Sequence, residues 1–242
     1  MTADKILVVI PAFNEAENIQ KTVAEVFHCG QAVSVLVVDD GSADLTSAEA
    51  ALAGAEVVRL PFNLGIGGAV QTGFKYARDN GFDIMIQVDG DNQHDAAYLK
   101  DLLAPVITGE ADMTIGSRFL SVQKGFQSSF ARRIGINFFV GLISMLTGHK
   151  ITDPTSGFRA FNKKLINVFA RYYPQDFPEP EAIAVASRYK AVIREVPVIM
   201  RKRSGGKSSI RDIKTLYYMI KVTFAILLDK FKHTSKELVS CR

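Results

Sequence analysis

Asp89 and Asp91 flank a single glycine in "IMIQVDGDNQHDAAYL", residues 84–99, where an apolar run ends in a cluster of oxygen-bearing side chains. Two carboxylates this close repel each other unless a cation lies between them. Mg²⁺ or Mn²⁺ commonly takes one or two carboxylates and completes its shell with water and substrate phosphates. Gly90 would let a ligand come close to the backbone. Turn formation or helix capping is the plainer role for an isolated D-x-D. Asp39 and Asp40, in "VVDDGS", stand at the mouth of another apolar run and strengthen the ionic reading. Four carboxylates converging on one edge would need a cation or a hydrogen-bonding nucleoside to balance them. The expected ion is Mg²⁺ or Mn²⁺, holding a diphosphate.

The elements that must carry these residues alternate along the chain. "ILVVI" (6–10), "VSVLVV" (33–38), "EVVRL" (56–60) and "FDIMIQV" (82–88) are short, apolar and rich in β-branched residues, which predicts buried strands. Between them, "NEAENIQKTVAEVF", a segment from about Asp44, and "NLGIGGAVQTGFKYARDN" have helical composition or spacing, and another helix is expected from near Asp95. Strands alternating with helices predict an α/β fold: a mostly parallel central sheet with helices on both faces. Ligands of such sheets bind at the carboxyl ends of the strands. "PAFNE", "DDGS" and "DGDNQH" all follow strands directly, so one site could collect all three.

The 242 residues are enough for one large domain with a full core, and 48% hydrophobic with 22% charged residues is ordinary for a folded soluble protein. Cys29 and Cys241 suggest neither a disulfide framework nor a CxxC metal site, as in a reducing compartment. Pro11 and early charges preclude an export core, and no run of ~18 uncharged apolar residues predicts a transmembrane helix. Net charge is +4 but uneven: from Arg201 onward eleven Lys/Arg face three Asp/Glu, whereas the first 200 residues hold eighteen and twenty-two. That basic tail suits an anionic partner, unless it is simply a solvated helix face.

Taken in order, "VVIPAFNEAENI", "VLVVDDGSADLT", "NLGIGGAVQTGF", "IQVDGDNQHD", "IGSRF", "DPTSGFRAFN" and "RKRSGGKSS" resemble the motifs of family 2 glycosyltransferases over roughly residues 5 to 210. More narrowly, the chain is similar to the dolichyl- and polyprenyl-phosphate sugar synthases. The resemblance implies a GT-A fold, with a nucleotide-sugar half (about 1–118) continuous with an acceptor half (about 119–210), followed by a basic amphipathic helix and tail (211–242). It implies inverting transfer from a nucleoside-diphosphate sugar to the phosphate of an undecaprenyl-type carrier, for cell-envelope glycan assembly or modification. No nucleic-acid partner is expected.

Carried onto this sequence, the resemblance places Pro11, Phe13 and Glu15 beside the nucleoside and Asp39 at the base or ribose, with Asp40 and Gly41 shaping that loop. Asp89, Asp91 and Gln93 would coordinate Mg²⁺ or Mn²⁺ beside Gly90, while Gln93 and His94 have a plainer alternative as helix-start residues. Arg118 follows the apolar "DMTIG" and would face the acceptor phosphate, aided by Arg132 or Arg133; a guanidinium can hold two phosphate oxygens at once. Asp153, in "DPTSGFRAF", is a candidate catalytic or sugar-binding carboxylate, although an anionic phosphate acceptor makes a dedicated base less necessary. Its alternative is a structural loop with Arg159 in an ion pair. Glu179 and Glu181 could be ordinary first-turn acids and stay outside the catalytic set. Arg203 and Lys207, after the strand-like run "VPVIM", would grip the donor diphosphate from a mobile basic flap. Neither "GGKS" nor "GIGGAV" completes a nucleotide-binding motif, because Arg201 and Val70 stand where glycine is required.

Two segments concern the lipid. Residues 134–149 are uncharged between Arg133 and Lys150, too short and polar to span a membrane comfortably but suited to lying in its interface. There Phe138, Phe139 and Leu142 would enter the acyl boundary. Residues 213–232 mix apolar side chains with Lys214, Lys221, Lys230 and Lys232, which suit anionic headgroups. The expected location is cytoplasmic, peripheral on the inner face of the cell membrane. Attachment would be direct or through a small membrane protein, and both segments could instead be core or homo-oligomer contacts. The alternatives are a family 2 enzyme with a glycan or soluble acceptor, a sugar-nucleotide pyrophosphorylase, or an inactive nucleotide-sugar-binding module. "PAFNE" stands where a pyrophosphorylase usually has a glycine-rich basic loop, and intact Asp89, Asp91 and Arg118 argue against an inactive module.

Overall fold

The apolar runs form strands because their alternate residues bury against two different helical layers. Leu7 and Val9 join Leu36, Val38, Met85 and Phe161 on one face. Ile6, Val8 and Ile10 join Val35, Val37, Ile84 and Ile86 on the other. A computed structural model describes residues 4–120, 130–148, 150–175, 178–201, 221 and 223–226, with the side chains of 130–134 and 136 left out. Its strands are β1 (Ile6–Ala12), β2 (Ser34–Asp39), β3 (Glu56–Arg59), β4 (Ile84–Gln87), β5 (Met113–Ser117), β6 (Arg159–Asn162) and β7 (Ile193–Pro197).

They form one seven-stranded sheet in the order β3-β2-β1-β4-β6-β5-β7. Only β6 runs antiparallel to its neighbours, β4 and β5. Helices α3 (Gly65–Asp79), α5 (Phe130–Thr147), α6 (Lys163–Arg171) and α7 (Pro178–Arg188) cover the first face. Helices α1 (Ile19–Phe27), α2 (Thr46–Leu52) and α4 (Leu99–Ile107) cover the second. This is the expected α/β architecture. The strand order turns back between β1 and β4, and a ligand crevice opens at such a point. The carboxyl ends of β1, β2, β4 and β5 and the amino end of β6 share that edge.

Two expectations change. "VPVIM" overlaps the last strand only at Val196 and Pro197, because β7 lies at the sheet's end and pairs with β5 from Ile193 to Pro197. Its Arg194 and Glu195 break the apolar signal that marks the interior strands. The interfacial helix is also less exposed than its composition suggests. Phe139 is fully buried, and Leu142 packs against the same core, while Phe138 is 44% and Met145 74% exposed. Most of 211–242 lies outside the described residues, although helical 223–226 includes a buried Ile226 and an exposed Phe224. Among the described residues no helix is long and apolar enough to cross a membrane.

Candidate functional site

Strand β4 delivers Asp89 to the crevice, and three neighbours fix the carboxylate. His94 Nε2 lies 3.1 Å from Asp89 Oδ2, with the His94 side chain almost wholly buried. The His94 ring stands edge-on to Phe158 with centroids 4.9 Å apart. Gly157 approaches so closely that an added Cβ would sit 2.8 Å from Asp89 Oδ1 and 2.9 Å from Oδ2. Burial pushes the Asp89 carboxyl up, but His94, the Gln87 amide and Arg118 together outweigh it and hold the group below its ordinary range. Asn92 takes a left-handed conformation, φ +59°, which turns the chain sharply after Asp91. Asp91 Oδ1 accepts from Gln93 N at 3.1 Å. Gln93 is tied elsewhere as well: its Nε2 donates to Arg201 O at 3.3 Å, and its carbonyl accepts from Arg201 N at 2.9 Å.

Strand β5 delivers Arg118, and Asp153 arrives on the loop before β6. Arg118 Nε and Nη2 donate to Asp153 Oδ2 and Oδ1, each at 2.6 Å, and Nη2 also donates to Thr155 Oγ1 at 2.8 Å. The Asp153 side chain is fully buried and that of Arg118 is 11% exposed. Burial disfavours the guanidinium's charge, but its pairing with Asp153 and the attraction of Asp89 raise its pKa further. Asp153 is thus a partner of Arg118 rather than a carboxylate open to a sugar. The Nε and Nη2 edge of the Arg118 fork is committed to it, and among the described residues no hydrogen bond engages Nη1. Arg118 and Asp89 follow β5 and β4 on the same edge of the sheet, and each charge favours the ionised form of the other.

The remaining predicted residues divide by location. Pro11 is buried at the end of β1, Phe13 is 47% exposed at the crevice, and Glu15 accepts from Asn18 Nδ2 at 2.8 Å. Asp39 is fully buried, with Oδ1 accepting from Ser42 N at 2.8 Å and Oδ2 from the Ser47 hydroxyl. Asp40 accepts from Leu64 N at 2.7 Å and Gly65 N at 2.9 Å, which caps the start of α3. Burial raises the Asp40 pKa despite those two amides, and Asp39 adds to the rise. This pair is surrounded by donors from the 42–47 segment, from the start of α3 and from Arg59 on β3, whose Nε lies 3.8 Å from Asp39 Oδ2. Gly41, at φ +73°, is required there, since an added Cβ would lie 2.9 Å from Asn63 N. Arg132 and Arg133 fall within α5, but their side chains are outside the described residues, as are Arg203 and Lys207.

Arg159, expected in an ion pair, and Glu179, expected as a first-turn acid, take partners that their local sequence did not indicate. Arg159 is fully buried and donates to the carbonyls of Ser156, Pro154 and Glu179, joining the 154–156 loop to the start of α7. Burial raises the Glu179 pKa, against the pull of Arg159, and the negative charge of Asp89 adds to the rise. Arg201 pairs with Glu25 at 2.6 Å and Asp95 at 2.9 Å, fixing the chain beside the Asp91 turn. Alternation of charge along the edge strand could have flagged Glu195, which reaches back to the Asp153 turn.

No group of three or more acidic, histidine or cysteine ligands is present among the described residues. The donor set instead fits a hard cation that receives part of its shell from a substrate: two carboxylates separated by one glycine, with Asp89 held ionised and partly exposed.

A family model described as glycosyl transferase family 2 matches residues 7–169. A protein of Methanocaldococcus jannaschii called uncharacterized is 34% identical over 224 residues, 90% of this chain and 91% of its own. The polyprenol monophosphomannose synthase of Mycolicibacterium smegmatis is 35% identical over 170 residues, and the match spans 67% of this chain and 63% of that protein. The UDP-N-acetylglucosamine–dolichyl-phosphate N-acetylglucosaminyltransferase of Methanococcus voltae is 29% identical, over 81% of this chain and 86% of its own. Among solved structures, the glucosyl-3-phosphoglycerate synthase of Mycobacterium tuberculosis in complex with Mn²⁺, UDP and phosphoglyceric acid superposes with a TM-score of 0.71 at 21% identity, over 97% of this chain and 81% of that one.

Proposed function

Because the chain belongs to glycosyl transferase family 2, we propose that it moves a sugar from a nucleoside-diphosphate sugar to a polyprenyl phosphate at a membrane surface. The observation that carries this reading is a buried guanidinium, Arg118, held by Asp153 in a two-bond fork at the same sheet edge to which β4 delivers Asp89. Relatives named as polyprenol- and dolichyl-phosphate sugar transferases support the acceptor class. The solved relative with Mn²⁺ and UDP supports a divalent cation and a nucleotide donor.

In this account Phe13, Glu15 and the Asp39 loop receive the nucleoside. Asp89 and Asp91, with the side-chain oxygen of Gln93, whose Nε2 stays bonded to Arg201 O, would hold Mg²⁺ or Mn²⁺, and the ion would offset charge on the leaving diphosphate. Arg118 presents its Nη1 edge to the acceptor phosphate. Since Asp153 already neutralises it, Arg118 orients that phosphate more than it neutralises it, and further cations are needed; Arg132, Arg133, Arg203 and Lys207 are the candidates. An oxygen of the phosphate attacks the anomeric carbon, the bond from that carbon to the diphosphate oxygen breaks, and its electron pair leaves with the nucleoside diphosphate. The nucleophile is already anionic at neutral pH, so alignment supplies much of the rate. The test compares undecaprenyl phosphate with undecaprenol: transfer should require the phosphate, and equal transfer to the alcohol would refute the assignment of Arg118.

A second reading, transfer to a soluble acceptor, is favoured by one observation. Burial of Phe139 and packing of Leu142 against the core leave less apolar surface for a bilayer than the sequence implies.

A further inference from the structure

The Asp153 turn is held from the far side of the sheet's end by one carboxylate. Glu195 on β7 accepts from Thr152 N at 2.8 Å and Thr152 Oγ1 at 3.0 Å through Oε2, and from Asp153 N at 2.8 Å through Oε1. The Thr152 hydroxyl also pairs with Ser117 Oγ at 2.7 Å, immediately before Arg118. Two successive amides of a loop are thereby fixed by the two oxygens of one side chain. A strand at the sheet's end needs no carboxylate for its own pairing, and burial makes this one costly to keep charged. What it supplies is a fixed origin for Asp153, whose carboxylate makes the two 2.6 Å bonds to Arg118.

We infer that Glu195 is a positioning residue for Arg118, acting through the Thr152–Asp153 backbone. The inference rests on the proposed role of Arg118 at the acceptor phosphate. An amide at position 195 would keep one acceptor oxygen and set an NH2 group against a backbone N–H, so the turn would move and the fork with it. Misplacement of a positioning group by about 1 Å costs on the order of 100-fold in rate.

The experiment compares wild type with Glu195→Gln by two readouts. In the first, kcat/KM for undecaprenyl phosphate should fall at least about tenfold, with donor affinity within about twofold of wild type. In the second, phenylglyoxal modification of Arg118, followed by peptide mass spectrometry, should accelerate as its fork with Asp153 loosens. Unchanged acceptor kinetics with unchanged Arg118 protection would overturn the inference. Equal losses for donor and acceptor would also overturn it and leave Glu195 a merely structural group. If wild type transfers nothing to undecaprenyl phosphate, the proposed function fails, and Arg118 protection alone then decides whether the clamp exists. Should Glu195→Gln not fold, Glu195→Asp keeps the charge but withdraws it by one methylene, and the same two readouts apply.

Discussion

A single hydrogen atom at Gly157 keeps the space beside the Asp89 carboxylate, the proposed cation ligand, from being crowded. The Gly157 Cα faces Asp89, and the Cβ of alanine would come within 3 Å of both carboxylate oxygens. The carboxylate is the end of a side chain, so it can be displaced from its place beside His94 at far smaller cost than a backbone shift. Gly157→Ala should therefore weaken Mn²⁺ binding about 10- to 100-fold, read by calorimetry, while the melting temperature stays nearly unchanged. Asp91→Asn removes one carboxylate of the pair and should lower turnover by at least about 100-fold together with metal-dependent donor binding. Near-normal activity in that variant, or full activity in EDTA, would contradict the metal assignment. The aspartate pair was legible because its residues follow a strand directly and their spacing is local. The partnership of Arg118 with Asp153 was not, since it spans 35 residues and forms only where β5 and the loop before β6 meet. Neither was the internal use of Asp39 and Asp40, whose donors include α3 amides and the Ser47 hydroxyl.

At the scale of elements, β1, β2 and β4 could be read directly because both faces of each are apolar, whereas the interior β6 is only four residues long and begins and ends on polar side chains. Strand β7 could not, since an edge position tolerates Arg194 and Glu195 and leaves a mixed pattern. Helix α3 shows how a glycine-rich start can mislead. It looks like a phosphate cradle, yet Asp40 already accepts from Leu64 N and Gly65 N, and Gly67 N donates to Gln175 O at 3.0 Å. Gly67 is there for close packing: an added Cβ would lie 2.1 Å from Gln175 O and 2.2 Å from Pro174 O. Those are backbone atoms and cannot yield cheaply. Gly67→Ala should destabilise the protein by roughly 1–3 kcal/mol, seen as a lower melting temperature of about 3 °C for each kcal/mol. A melting temperature equal to wild type would show that the loop at 174–175 moves freely.

For the whole molecule, the α/β architecture with helices on both faces followed from strand–helix alternation, whereas the antiparallel insertion of β6 between β4 and β5 had no counterpart in the sequence pattern. The membrane-facing reading narrows to particular side chains. Phe138→Ser should reduce pelleting with anionic liposomes at low salt and leave stability nearly intact, because that ring is 44% exposed. Phe139→Ala should instead cost about 3–5 kcal/mol in folding, because its ring fills the core. If Phe138→Ser pellets like wild type, α5 does not meet the bilayer. The central claim is transfer to a lipid phosphate, and a donor panel tests it most directly. Purified protein is incubated with undecaprenyl phosphate, Mg²⁺ or Mn²⁺, and UDP- and GDP-linked sugars in turn, and the lipid fraction is scored for a charged glycolipid. A metal-dependent glycosyl phospholipid should form from at least one donor; absence of product from every donor, with transfer to a soluble acceptor under the same conditions, would refute transfer to a lipid phosphate.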